Sequence, residues 1–359
     1  MKYSVIFLIF FFTTATIIYA HLGWNCIRYL SYDTLVPDSR RHVSFEMDDS
    51  EFLPLQSVLG GLFIGAACGA YMFFAQRIAG CSGALKAAVD GPREAPKLSF
   101  LGGLLLSGTV MGTALPSAFE VPPAPGAALV VGGLVAGVGS ALGNGCTSGH
   151  GLCGMSRMSL RSLVAVPVFM GCAVLASTVR GGVYEIGAMA PMGETPDVVV
   201  SLAARAALAL GAALLPLFLA KRQSSTTEAY AGLWSGVCFG VGLSIGGMVR
   251  PSVVFAALSP GRFDPTLWTL FMTALGTTFV LFRLAERVGD VEEATCTVQG
   301  VVDARLVTGA ALFGIGWGLG GFCPGPLIVS VGALPTATGL LVPLAAMAIG
   351  QKLVGVLAK

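Results

Sequence analysis

A chain of 359 residues that is 55% hydrophobic and only 11% charged, with a mean hydropathy of +0.80, cannot clothe a water-soluble globule, because soluble domains carry roughly 25% charged residues. Lipid is its solvent, and the predicted class is an all-α polytopic membrane protein with two inverted repeats in one chain. The formal charge of +2 argues against a nucleic-acid partner, and nine cysteines, most of them in or beside apolar runs, are no dense disulfide framework.

Residues 4–20 are almost wholly apolar, a length between a cleavable signal sequence and a first spanning helix. Residues 21–52 are polar and acidic, so 1–52 reads as an anchor or signal followed by an extramembrane loop. Apolar runs follow at 53–75, 98–114, 126–143, 162–179, 198–219, 230–249, 264–282, 304–321 and 335–356. With the N-terminal run they predict about nine to ten transmembrane helices. Pieces near 80–89, 251–259 and 326–333 are too short to cross ~30 Å of hydrocarbon and read as re-entrant half-helices.

Loops holding Arg77, Lys86, Arg93, Lys97, Arg157, Arg161, Lys221, Arg222, Arg283, Arg287 and Lys359 are more basic than those holding Arg28, Arg40, Arg41, Arg180, Arg250 and Arg262. The positive-inside rule puts the first set, and the C-terminus, in the cytoplasm of a plasma or bacterial inner membrane. Aligning Leu129–Cys146 with Leu306–Cys323 gives eight identities in eighteen positions. A weaker echo pairs Gly61, Leu62, Gly65 and Gly69 with Gly232, Leu233, Gly236 and Gly240, and sets Cys81 opposite Ser252. The membrane part thus divides into halves, 53–220 and 221–359, inverted by an odd number of crossings. Glycines four apart, as in Gly139-Gly143, suit close helix packing in a bilayer.

Three cysteines stand where apolar runs break: Cys81 in GCSG, Cys146 in NGCTSGHG and Cys323 in GFCPGP. Neighbouring glycines, among them Gly145, Gly149 and Gly325, permit tight turns. Pro324 suits the first turn of a short helix, and Thr147 or Ser148 suits a cap of another. Helix N-termini aimed at a cavity favour an anion, and thiols favour a substrate with exposed terminal sulfur or selenium. Cys146, His150 and Cys153 also spell C-x3-H-x2-C, which leaves a soft-metal permease as an alternative; His150 alternatively orients a neighbour. A membrane thiol-disulfide oxidoreductase is the enzymatic alternative, without a C-x-x-C to support it. Cys68, Cys172 and Cys238 read as small buried hydrophobes, and Cys26 and Cys296 carry no assignment. Arg205, inside an apolar run, fits either a cavity counter-charge or a snorkelling side chain.

GNGCTSGHGLCGMSRMSLRS and GIGWGLGGFCPGPL resemble the two signature motifs of the YeeE/YedE sulfur-transport family, over roughly residues 53–356. The resemblance implies a non-enzymatic permease without cofactor or resident metal, hourglass-shaped, with short central helices. Thiosulfate or a related sulfur anion would touch thiols that fall on Cys81, Cys146 and Cys323, with Gly145, Gly149, His150, Cys153, Pro324 and Gly325 in support. A cytoplasmic sulfur-carrier protein is the partner such a permease would serve.

Overall fold

A computed structural model of the chain describes residues 54–90, 93–121, 126–181, 196–219, 224–259, 264–287 and 301–357. The N-terminal segment, Cys26 and Cys296 lie outside the described residues. Thirteen helices are numbered here in chain order: α1 (Pro54–Ala75), α2 (Cys81–Val89), α3 (Ala95–Ala114), α4 (Ala127–Leu142), α5 (Thr147–Gly154, of π type), α6 (Leu160–Gly181), α7 (Pro196–Leu219), α8 (Ser225–Ile245), α9 (Pro251–Leu258), α10 (Thr266–Arg287), α11 (Ala304–Gly320), α12 (Pro324–Ala333) and α13 (Thr338–Leu357). No strand occurs among the described residues. The protein is an all-α integral membrane protein.

Among the described residues, five segments are long and apolar enough to cross a bilayer on composition alone: Leu55–Ala75, Leu160–Arg180, Thr266–Arg287, Ala304–Ala333 and Thr338–Leu357. A sixth arises if α4 and α5, bent by 45°, form one broken span. Helices α3, α7 and α8 have 20, 24 and 21 residues, enough length at 1.5 Å per residue, and α7 carries a shorter apolar stretch, Val198–Leu214. Leu175, Val179, Leu208, Val280 and Ile349 are exposed on helix flanks, as expected where lipid replaces water.

Local chemistry sets the ends. Ser224 accepts a hydrogen bond from the Thr227 N–H, and Asp303 one from Leu306 N–H, capping α8 and α11. Pro251 and Pro324 open α9 and α12, where the missing N–H costs nothing. Each long-to-short break turns on a left-handed residue: Gln76 (φ 51°), Asn144 (φ 55°), Gly247 (φ 74°) and Gly321 (φ 69°). Asn144 and Gly321 are equivalent in the strong repeat alignment, and Gln76 and Gly247 in the weaker one. The same left-handed break thus recurs four times, and a short helix starts within five residues of each.

Packing follows the same equivalence. A Cβ on Gly132 would meet Gly316 O at 2.9 Å, while Gly139 and Gly309 press together at 2.7 Å by the same measure. Gly132 is equivalent to Gly309 and Gly139 to Gly316, so these are the reciprocal contacts that a two-fold axis demands. Rising numbers on α4 meet falling numbers on α11, so the helices run antiparallel and the halves are inverted. The stripe Gly61-Gly65-Gly69 lies against Leu270, Thr273, Thr277 and Leu281 of α10; its counterpart Gly232-Gly236-Gly240 lies against Pro96, Phe100, Gly103 and Ser107 of α3. Small residues let these backbones approach where side chains could not. Helix α7 stands between the halves, tied to α8 by Tyr230 Oη donating to Ala213 O and Trp234 Nε1 to Leu210 O. Arg205 is exposed on α7.

Candidate functional site

Helices α2, α5 and α12 start at cysteines. Cys81 is the first residue of α2, and Cys146 and Cys323 hold the N-cap positions of α5 and α12. All three are buried, at 1%, 0% and 2% exposure. The helix starts converge. The Thr147 hydroxyl and Cys323 sulfur are 2.7 Å apart, and the Cys146 and Cys323 thiols are neighbours. Ser148 Oγ accepts from the Cys81 N–H at 3.1 Å and hydrogen bonds with Cys146 Sγ at 3.2 Å. Cys146 also lies beside Ser82. A Cβ on Gly325 would stand 2.9 Å from Cys81 Sγ, so α12 passes directly over that thiol. Two thiols from one half and one from the other therefore share a single buried junction.

The expected cap of α5 is corrected. Cys146 takes the cap position without a side-chain hydrogen bond to the backbone, and Thr147 enters the helix and turns its hydroxyl across the half-to-half boundary. Pro324 opens α12 as expected. Gly145 is required by space, because a Cβ there would strike the His150 ring at 2.4 Å, whereas nothing lies within 4 Å of a Cβ on Gly149.

His150 spans the turn. Its Nε2 lies 3.1 Å from Gly143 O, and its Nδ1 lies 3.0 Å from Ser162 Oγ. The carbonyl can only accept, so Nε2 carries the proton and Nδ1 accepts from the serine. Both nitrogens are engaged in holding the broken segment against α6. Cys153 points elsewhere, donating to Ala79 O at 3.6 Å and pairing with Cys68. Among the described residues, no three of His, Cys, Asp and Glu gather as metal ligands, so Cys146, His150 and Cys153 do not form the site that their spacing invites.

Several neighbours went unread in the sequence. Cys68, expected as a bland hydrophobe, packs against Cys153. Gln351 Nε2 donates to Ser82 O and Ser140 Oγ, which ties α13 to the residue after Cys81. A glutamine inside an apolar run was the available signal. The fourth short helix differs from the rest. Ser252, opposite Cys81 in the repeat, gives both its N–H and its hydroxyl to the Glu120 carboxylate, which also accepts from Arg250 Nε at 2.7 Å.

Comparison with known proteins accords with this geometry. Residues 98–175, which span the Cys146 break, match the sulphur transport family, and residues 229–359 match a family of unknown function (DUF6691). Two proteins of Xylella fastidiosa strain Temecula1, each named a probable transporter, are 35% and 37% identical over 131 and 133 residues, covering 36% and 35% of this chain and 95% and 88% of theirs. Another probable transporter, from strain 9a5c, is 34% identical over 131 residues, 36% of this chain and 95% of its own. A transporter architecture with paired breaks, a sulphur-transport match over one of them and relatives aligned almost end to end lead to one assignment: this chain belongs to the YeeE/YedE family of sulfur transporters.

Proposed function

We propose that the protein passes a small anion with a terminal sulfur, thiosulfate foremost, through the junction of Cys81, Cys146 and Cys323 towards the cytoplasm. The observation that carries this reading is the convergence of three thiols, drawn from both halves, at the starts of three short helices. Orphan N–H groups and positive helix ends offset part of the hydration lost by a dianion. Thiol hydrogens then meet the terminal sulfur through weak, polarisable contacts. Weakness serves transport, since each contact must release what it binds. The hydroxyls of Thr147 and Ser148 hold the thiols in register. The basic loops set the orientation, and for uptake a cytoplasmic sulfur-carrier protein is the partner that would receive the sulfur.

The test is uptake of radiolabelled thiosulfate into proteoliposomes, with labelled sulfate as control. Thiosulfate should enter and sulfate should not, and Cys146→Ala and Cys323→Ala should abolish uptake while the protein still elutes as a folded species. Normal uptake by both variants overturns the relay.

A further inference from the structure

Beside the thiol junction lies a cavity of about 260 Å3, far larger than the ~30 Å3 share of one water. Gly80, Ser82 and Gly145, chain neighbours of Cys81 and Cys146, line it together with Gly149. Its walls carry Lys86, Lys97, Arg157 and Arg161, together with His150. Among the described residues no aspartate or glutamate lines it and no cysteine does. All four cations belong to the set of basic residues that the positive-inside rule assigns to the cytoplasmic side.

Arg161 Nη1 donates to Val301 O at 2.6 Å and Arg157 Nε to Cys153 O at 3.2 Å, so backbone carbonyls fix where these side chains stand. Lys97 is 2.7 Å from Glu94 Oε1, outside the lining. Lys86 makes no hydrogen bond or ion pair among the described residues. One lining residue, Tyr71, 1% exposed, holds its Oη without a partner among the described residues. A buried phenol left unpaired in a native fold is a donor in want of an acceptor.

We propose that this vestibule is an oxyanion site distinct from the thiol junction. Fixed guanidinium and ammonium groups and a phenolic O–H recognise the charged oxygens of a tetrahedral divalent anion, with no soft ligand to ask for terminal sulfur. A thiosulfate ion leaving the thiols would be received here by its sulfonate end. Sulfate, refused by the junction, binds from the vestibule side and blocks the exit. The inference rests on the reading that the thiols select terminal sulfur, but its first readout is independent of transport.

Purified full-length protein is titrated with sodium sulfate by calorimetry at constant ionic strength. Saturable binding is expected for the wild type, weakened about tenfold in Lys86→Gln and further in Lys86→Gln/Arg161→Gln, the scale of lost charge-assisted hydrogen bonds. Cys146→Ala should bind sulfate as the wild type does. Absence of saturable binding, equal binding by Lys86→Gln and the double variant, or loss of binding in Cys146→Ala each overturns the site. Lys86→Gln keeps the test open if the double variant misfolds, since that side chain supports no contact. In proteoliposomes, sulfate on the vestibule side should slow thiosulfate passage, and Lys86→Gln should relieve the inhibition. Failure of the cysteine variants to lose uptake would reject the thiol reading while leaving the sulfate titration standing.

Discussion

The Thr147 hydroxyl lies 2.7 Å from the Cys323 sulfur, although 176 residues and the whole of the linking helix separate the two in sequence. This contact joins the halves at the thiols themselves. Thr147→Val keeps the shape and removes the hydroxyl. A hydrogen bond of about 1 kcal/mol corresponds to roughly fivefold in an equilibrium, so initial thiosulfate uptake should fall several-fold while the elution profile of the protein stays unchanged. Uptake equal to the wild type would show that Cys323 needs no orienting partner.

Glycine positions separate into two classes that the sequence does not distinguish. A Cβ on Gly139 would stand 2.1 Å from Phe313 N and 2.7 Å from Gly309 O, both backbone atoms that cannot yield. Gly139→Ala should therefore push α4 from α11 and lower the yield and melting temperature of the detergent-solubilised protein. Gly149 borders the thiols but faces open space, with nothing within 4 Å of an added Cβ. Gly149→Ala should fold normally and retain most uptake.

The architecture was legible because bilayer physics writes it in long signals. Apolar runs marked the helices, and the pieces near 80–89, 251–259 and 326–333 appear as α2, α9 and α12. The repeat was readable because the inverted contact between α4 and α11 needs glycine at matched places in both halves. What stayed hidden depends on rotation about a helix axis. Cys68 and Cys172 look alike in apolar runs, yet Cys68 is buried against Cys153 and Cys172 is half-buried beside Gly314. The C-x3-H-x2-C spacing suggested a cluster, but the π-type turn of α5 sends His150 towards Ser162 and Cys153 towards Ala79. Glu120 lay in a connecting segment, with no local pattern tying it to a helix start 130 residues away.

Cys153 gives a control for the thiol reading. Its sulfur pairs with Cys68 and Ala79 O, away from the contact between Cys146 and Cys323. Cys153→Ala removes one buried sulfur from a packed site, which should cost roughly 1–2 kcal/mol of stability and leave uptake within about twofold. The measurement is thiosulfate uptake normalised to folded protein, beside Cys146→Ala. Equal and complete loss in both would extend the pathway to the second thiol pair.

The last prediction concerns the helix start without a cysteine. Ser252 stands where the repeat would put a partner for Cys81, and the Glu120 carboxylate sits over it, accepting from the Ser252 hydroxyl at 2.6 Å and from Arg250 at 2.7 Å. An anion from the protein's own chain thus occupies this helix end, and neutralises an arginine whose side chain is only 8% exposed. Glu120→Ala leaves that guanidinium short of a carboxylate and the first turn of α9 short of an acceptor. Stability should fall by about 1–3 kcal/mol, read as a lower melting temperature in detergent. Glu120→Gln keeps an acceptor for Ser252 but loses the charge, so its loss should be smaller. If Glu120→Ala melts with the wild type, the carboxylate is not what holds α9, and the asymmetry between the two halves needs another cause.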